Sequence, residues 1–222
     1  MSLEDIDRLN ASLIADAMQR VGGVSFVRGQ QLSGFQPQSG KPAVGLAYTV
    51  RVRFAQEKTG EERARWFDAI DTAPGGAVFV IQADEDVGAA VFGEMVALRL
   101  NRRGLAGVVI DGDARDVLQL REIGLPFWTR GATPTGMIPN DADTSVAVTL
   151  EIDGVEVAPG DLVAADADGV MVCPAERIEE VLSVARAFRD SEAVTVENLK
   201  AGHALIDVYP SKTSIEVEKR AK

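Results

Sequence analysis

The sequence predicts an α/β fold. Apolar runs of strand length at residues 77–81, 108–110 and 127–128 are separated by two segments of helical periodicity. Strand, helix, strand, helix and strand in this order is typical of α/β proteins. No internal repeat, low-complexity linker or block of like charge marks a boundary, so we predict a single domain over residues 1–222.

The first elements follow from periodicity. A glycine-rich loop to about Gly40 precedes an alternating strand over residues 44–54, and a short helix near Trp66 ends at Pro74. Before them, an amphipathic helix is predicted, because apolar residues recur every three or four positions: Leu9, Leu13, Ile14, Ala17, Met18 and Val21. The helix is predicted to stop at Gly22-Gly23.

The later elements divide into two groups. Helices are predicted over residues 87–103 and from Val117 to Ile123. Beyond Pro139 the chain changes to short strands with Asp-Gly and Pro-Gly turns, which predict hairpins at residues 146–152, 155–157, 162–165 and 170–173. A long C-terminal helical segment is predicted from about residue 174.

Charge excludes several classes of partner. Lys and Arg total 23 and Asp and Glu total 34, so the net charge is −11. A field of this sign repels phosphate backbones and anionic lipid, so we expect neither nucleic acid nor membrane as a partner. The acidic N-terminus is unlike a secretory signal, and no apolar stretch could span a bilayer. These features predict a cytoplasmic location.

The scarcity of cysteine and histidine limits the possible chemistry. Cys173 lies in an apolar run typical of a core, and His203 is the single histidine. Disulfides, thiolate zinc sites and multi-histidine sites are therefore excluded. Any bound metal must use oxygen ligands, which favours Mg²⁺ or Mn²⁺.

One charged pattern indicates a site. Glu94 is followed, after twenty residues, by Arg115 and Asp116, which lie three and four residues beyond the apolar run at 107–112. Residues at the carboxyl edge of a strand commonly form sites in α/β proteins, although an Arg-Asp pair at the start of a surface helix would look the same. Glu94 is predicted inside an apolar helical stripe, where it needs Arg115 or water at a metal as a partner.

Two further aspartates and a turn need interpretation. Asp111 and Asp113 are predicted to crowd the strand exit with Asp116, and one aspartate could suffice for Mg²⁺. At least one of Asp111 and Asp113 is interpreted as a turn or helix-cap residue. The segment 166–169 is similar to the start of a calcium loop, but Val170 and Arg177 occupy ligand positions, so we predict a β-turn.

Four blocks of sequence together resemble a known family. They are Gly93-Glu94-x20-Arg115-Asp116 and residues 108–116, 125–131 and 159–170. The family, called RraA-like, joins the regulator of ribonuclease activity A to the 4-hydroxy-4-methyl-2-oxoglutarate (4-carboxy-4-hydroxy-2-oxoadipate) aldolases. The resemblance implies a compact α/β/β/α sandwich related to the swivelling phosphohistidine domain, assembled as a homotrimer or homohexamer with sites between subunits.

The resemblance also implies roles for residues. The family's aldolases are metal-dependent class II pyruvate aldolases, which act on small 4-hydroxy-2-oxo acids. Asp116 would bind the divalent metal, Mg²⁺ or Mn²⁺, and Arg115 would bind and polarise the pyruvyl oxygen. Glu94 would hold water at the metal and act in the base machinery, while amides from Gly88 to Gly93 would bind the substrate carboxylate. Glu192 matches a glutamate that a neighbouring subunit contributes.

Two functions follow as hypotheses. The first is retro-aldol cleavage of a 4-hydroxy-2-oxo acid through a pyruvate enolate, which oxaloacetate decarboxylation would share. The second is a non-catalytic protein that binds and regulates a ribonuclease, for which an acidic surface is suited to a basic partner segment. Retention of Glu94, Arg115 and Asp116 together favours the enzyme.

Overall fold

A curled, mixed β-sheet organises the fold. The computed structural model describes residues 5–38, 40–84 and 87–209. Within these residues, eight strands follow the order β1-β11-β10-β3-β4-β5-β6-β2, and a ninth, β7, also pairs with β3. Strands β8 and β9 form a separate hairpin. The strands are β1 Gln31–Leu32, β2 Gln36–Pro37, β3 Ala43–Phe54, β4 Val78–Ala83, β5 Gly107–Ala114, β6 Phe127–Ala132, β7 Ala142–Val146, β8 Leu150–Ile152, β9 Val155–Val157, β10 Leu162–Ala165 and β11 Val170–Cys173.

Strand β3 joins the two halves of the sheet. Its first half, residues 43–46, pairs antiparallel with β10, and residues 47–52 pair parallel with β4. Strands β4, β5 and β6 continue the parallel arrangement. The carboxyl ends of β3, β4, β5 and β6 therefore lie along one edge, where open parallel sheets commonly bind ligands.

The helices cover both outer faces of the strands. They are α1 Ala11–Arg28, α2 Glu62–Thr72, α3 Glu94–Arg102, α4 Val117–Ile123, α5 Ile178–Lys200 and α6 Leu205–Val208. Helices α2, α3 and α4 pack on one face of β3 to β6, and α1 and α5 pack on β10 and β11. A third core lies between the two groups of strands and includes the β8–β9 hairpin. The layers thus run helix, strand, strand, helix.

Alternating burial along the strands explains this layering. In β5, Val108 and Ile110 face α2 to α4, while Val109 faces the central core. In β10, Leu162 faces α1 and α5, while Val163 faces the central core. Because successive side chains point to opposite faces, such strands must be apolar on both sides. The predicted α/β sandwich is confirmed; its relation to the swivelling phosphohistidine domain stays a prediction.

Two predicted helix boundaries are wrong. Val87 lies in a 3-10 turn, residues 88–93 are not helical, and α3 begins at Glu94. Gly23, with φ of 80°, interrupts α1 without ending it, because helical residues resume as far as Arg28. The first error extends a periodic pattern across Gly88 and Gly93, whereas the second treats Gly22-Gly23 as a stop.

The hairpins predicted in the later part of the chain are present as β8–β9 and β10–β11. The turn of the second hairpin contains Asp166, whose carboxylate accepts hydrogen bonds from the backbone N–H groups of Ala11 and Asp168, each at 2.8 Å. This is the β-turn predicted in place of a calcium loop. Among the described residues, no helix has both the length and the apolar character to span a bilayer. The domain prediction extends to residue 222, beyond the described part.

The start of α2 contains a hydrogen-bonded carboxylate. Glu62 accepts hydrogen bonds from the backbone N–H of Thr59 at 2.5 Å, its hydroxyl at 2.9 Å and the N–H of Gly60 at 3.0 Å. These bonds, that of the Thr59 N–H foremost, lower the pKa of Glu62 from 4.5 to about 2. Glu62 is the first residue of α2, and its carboxylate thus holds the loop that precedes the helix.

We predict that Glu62→Gln removes an acid-dependent part of the stability. A carboxyl group whose pKa is lower in the folded state stabilises the fold above its unfolded pKa, and that contribution is lost as pH falls from about 4.5 towards about 2. The free energy of unfolding by urea, measured from pH 7 to pH 2, should differ most between wild type and Glu62→Gln at neutral pH. Glu61→Gln serves as control, and a difference that is independent of pH would contradict the prediction.

Candidate active site

The candidate site lies at the carboxyl end of β5. This strand extends four residues beyond the predicted Ile110, through a bulge at which its register with β6 shifts. Gly112 adopts φ of 154° there, and its carbonyl accepts a hydrogen bond from the Thr129 hydroxyl at 2.9 Å. Bulges commonly re-aim a strand near an active site. Here the bulge carries β5 to Ala114, directly before Arg115.

The segment before α3 joins the end of β5. The Arg115 N–H donates to the Phe92 carbonyl at 2.9 Å, and the Val91 N–H donates to the Asp113 carbonyl at 3.2 Å. On its other side, the Ala90 N–H donates to the Thr135 carbonyl at 2.8 Å. Residues 90–92 are thus held between β5 and the segment that follows β6, and this pairing competes with the helix predicted there.

The three residues predicted to form the site come together. The Glu94 backbone N–H donates to Asp116 Oδ2 at 3.2 Å, and Arg115 Nε lies 3.5 Å from the same oxygen. Glu94 occupies the first turn of α3, where the helix dipole favours a negative charge. The prediction that Glu94 lies inside an apolar stripe is wrong, because α3 begins at this residue and its buried face is formed by Ala97 and Leu100.

Asp116 has an unusual backbone. Its φ of 58° and ψ of 35° are left-handed, and it immediately precedes α4. Aspartate and asparagine tolerate this conformation better than most other residues with a side chain. The turn points the chain from β5 into α4 and holds Arg115 and Asp116 at the sheet edge, with side chains 47% and 37% exposed.

Two glycines pack against Arg115. A Cβ atom at Gly93 would lie 2.9 Å from Asp116 Oδ2 and 3.2 Å from Arg115 Nε, and one at Gly136 would lie 2.2 Å from Arg115 Nη1. Neither glycine has a positive φ, so close approach explains them. The predicted role of Gly93 in substrate binding stays a prediction. Sequence reasoning missed Gly136, whose signal is a glycine in the Thr-Pro-Thr-Gly segment after β6.

Asp111 and Asp113 do not join the site. They lie within β5, and neither caps a helix or forms a turn, which corrects both the predicted crowding and the predicted role. Asp111 accepts a hydrogen bond from Arg130 Nε at 2.8 Å, and Arg130 also donates to Asp153 at 2.7 Å. Burial alone would lower the pKa of Arg130, but these two carboxylates outweigh it and raise the pKa.

A cleft opens beside the site at the same edge of the sheet. It has a volume of about 180 Å³. Its lining includes Gly88 and Gly136 with the side chains of Arg53, Phe54, Met137 and Asp141. Because Gly136 also touches the Arg115 guanidinium, the cleft adjoins the charged site.

Comparison with known proteins identifies the family. The RraA-like family model, described as Aldolase/RraA, matches residues 11–172. The chain belongs to the RraA-like family.

Relatives in this RraA-like family carry different names. A 4-hydroxy-4-methyl-2-oxoglutarate aldolase of Thermus thermophilus is 30% identical over 152 residues, which cover 66% of this chain and 92% of that protein. Protein DlpA of Legionella pneumophila is 28% identical over 203 residues, which cover 91% of this chain. The matched part is 32% of DlpA, so this chain spans about a third of that relative.

Solved structures agree with the RraA-like fold. An uncharacterized protein from Pseudomonas syringae superposes with a TM-score of 0.73 at 28% identity, covering 91% of this chain and 93% of the other. Streptomyces coelicolor RraAS2, called an unusual member of the RNase ES inhibitor RraA protein family, gives a TM-score of 0.70 at 26% identity, with 89% and 94% covered.

Asp116 is the residue of the site whose carboxylate could hold a hard cation such as Mg²⁺. Among the described residues, no group of three or more His, Cys, Asp or Glu side chains could enclose a metal. A cage made only of protein ligands is therefore not formed within these residues. Mg²⁺ needs only one or two carboxylates because it keeps several waters. Asp116 offers a partly exposed carboxylate oriented by the Glu94 N–H, which suits that mode of binding.

Glu192 lies elsewhere in the chain. It belongs to α5, which packs on α1 across the strands from α3 and α4. The predicted role of Glu192 was to act in a neighbouring subunit's site, and it stays a prediction. Cys173 is buried as predicted, and burial raises the pKa of its thiol to about 12, which makes it unreactive.

We predict that Gly136→Ala displaces the Arg115 guanidinium. The added Cβ would overlap Nη1, and the half-exposed side chain can swing away, so the free energy of unfolding should change by less than about 1 kcal/mol. Gly40→Ala is the control, because nothing lies within 4 Å of a Cβ at Gly40. Crystal structures of both variants test this, and an unmoved Arg115 in Gly136→Ala would contradict it.

Proposed function

We propose that this chain is a divalent-metal-dependent class II pyruvate aldolase that cleaves 4-hydroxy-2-oxo acids. The single observation that carries the proposal is the contact of the Glu94 N–H and the Arg115 guanidinium with one oxygen of Asp116. This contact joins, at one sheet edge, residues that are 22 positions apart in the sequence. The Thermus thermophilus relative named as a 4-hydroxy-4-methyl-2-oxoglutarate aldolase supports the reaction class.

The charges of the site match the electronic needs of a retro-aldol reaction. The C4 hydroxyl of the substrate loses a proton, the C3–C4 bond breaks, and its electron pair forms the enolate of pyruvate while C4 becomes a carbonyl carbon. The enolate then takes a proton at C3. Negative charge develops on the C2 oxygen, so a fixed cation beside it lowers the barrier by several kcal/mol.

Each residue has one role in this proposal. Arg115 donates hydrogen bonds to the C2 oxygen. Its guanidinium keeps its positive charge because arginine is not deprotonated in proteins. Glu94 holds the proton released from the C4 hydroxyl, through an intervening water. Asp116 would hold the divalent cation, Mg²⁺ or Mn²⁺, through its carboxylate. Such a cation would supply further positive charge that stabilises the enolate.

Oxaloacetate decarboxylation follows from the same arrangement. When C4 of oxaloacetate leaves as carbon dioxide, the electron pair of the broken C3–C4 bond also forms the enolate of pyruvate. The residues that stabilise the enolate therefore serve both reactions. We propose this as a second activity of the same site.

We predict that Arg115→Met and Asp116→Asn each lower kcat/KM by at least about 10²-fold, because each removes a charge that stabilises the transition state. Asparagine is preferred to alanine at residue 116, since it tolerates the φ of 58° and isolates the loss of charge from backbone strain. Pyruvate release is measured with lactate dehydrogenase on 4-hydroxy-2-oxo diacids and oxaloacetate, with EDTA or with added Mg²⁺ or Mn²⁺.

Matched substitutions outside the site provide controls. Arg121→Met removes an exposed arginine of α4 that contacts Gln38, and Asp68→Asn removes an exposed charge of α2. Both should retain turnover. Full activity in Arg115→Met or Asp116→Asn, with the fold intact, would refute the assignment.

The role of Glu192 is tested by mixing subunits. We propose that the chain assembles as a homotrimer or homohexamer in which Glu192 completes a neighbouring site. Co-expression of Arg115→Met with Glu192→Gln should then restore activity to about a quarter of the sites, because one subunit can supply Arg115 and its neighbour Glu192. Activity no higher than that of the two separate variants would show that Glu192 does not act across subunits.

A second candidate function is regulation of a ribonuclease. The observations that favour it are the structural likeness to Streptomyces coelicolor RraAS2 and the net charge of −11, which suits a basic segment on a partner. A pull-down that recovers a nuclease, together with no pyruvate release and stability that is independent of metal, would favour regulation over the aldolase.

A further inference from the structure

The cleft beside Arg115 is placed to receive the far end of a substrate. Gly136 lines the cleft and also contacts the Arg115 guanidinium. Arg53, at the end of β3, lines the same cleft. Strands β3 and β5 are separated only by β4, so their carboxyl ends lie about 10 Å apart across the sheet. Arg53 lines the cleft and Arg115 adjoins it through Gly136, so two arginines are available for the two ends of a short diacid.

The available donors of Arg53 are the chemical basis of this site. Register places Arg53 opposite Asp143 of β7, and Nη2 lies 3.5 Å from Asp143 Oδ2. This is longer than the ~2.8 Å typical of a charge-assisted hydrogen bond. A guanidinium has five N–H donors, and the Arg53 side chain is 46% exposed. Arg53 can therefore bind an incoming carboxylate without breaking a tight ion pair.

The other groups of the cleft suit an aliphatic chain that ends in an anion. Asp141 would repel such an anion, but it forms an ion pair with Lys58. The side chains of Phe54, Met137 and Ile138 supply an apolar wall. In a chain with a net charge of −11, recognition of an anionic substrate needs local cations of this kind.

We propose that Arg53 and this cleft form the subsite for the distal carboxylate of the substrate. The inference rests on the proposed aldolase function, and it assigns a residue of this chain to the second carboxylate of a 4-hydroxy-2-oxo diacid. Arg115 binds the pyruvyl end, and Arg53 determines specificity at the opposite end. Lys58 is a positioning residue that neutralises Asp141.

Turnover of two substrates tests the specificity. Wild type, Arg53→Gln and Lys58→Met are assayed with 4-hydroxy-2-oxoglutarate and with 4-hydroxy-2-oxopentanoate, which lacks the distal carboxylate. The ratio of kcat/KM for diacid to monoacid should fall about tenfold in Arg53→Gln, mainly through KM, and by less in Lys58→Met. Arg65→Gln, which removes an exposed arginine paired with Glu61 on α2, should keep the wild-type ratio. An unchanged ratio in Arg53→Gln overturns the proposal.

Ligand binding tests the subsite separately from catalysis. With Mg²⁺ present, titration calorimetry should show that wild type binds 2-oxoglutarate about tenfold more tightly than 2-oxopentanoate, and that Arg53→Gln loses this preference. Equal binding of the two ligands by wild type, or a preference that survives Arg53→Gln, overturns the subsite. A preference that depends on Arg53 without any pyruvate release would instead sustain the subsite and reject the aldolase.

Discussion

Parallel pairing of β3, β4, β5 and β6 is the constraint on which the site depends. These strands are apolar on both faces, and a slip of one residue would exchange every buried side chain between two cores. Their register is therefore fixed, and so is the line of their carboxyl ends. Residues that follow those ends are brought together whatever their separation in the sequence. Arg115 and Asp116 follow β5, Gly136 follows β6, and Arg53 is the last residue but one of β3.

Much of this architecture could be predicted from the sequence, because burial on both faces demands long apolar runs that are easy to recognise. The extent of β5 could not. Its last four residues include two aspartates and a glycine, and they continue the strand only because Thr129 of β6 supports the bulge. The helix predicted over residues 88–93 is absent for a related reason. Hydrogen bonds from residues 90–92 to β5 and to the segment after β6 outweigh the local helical pattern.

The candidate site was predicted in part, and the missing parts have a common cause. Arg115 and Asp116 are adjacent in the sequence, so their proximity was certain once β5 was placed. The contact with Glu94 uses its backbone N–H, which no pattern of side chains reveals. The position of Gly136 and the cleft at Arg53 depend on how the segment after β6 and strand β7 pack at the sheet edge. This packing is a property of the tertiary structure alone.

The left-handed backbone of Asp116 has an evolutionary consequence. Replacement by asparagine or glycine would abolish the negative charge at a single codon change while leaving the turn into α4 relaxed. A chain with either replacement would keep its scaffold, and that scaffold would remain available to selection. The fold therefore places no stability barrier against loss of the charge at this position.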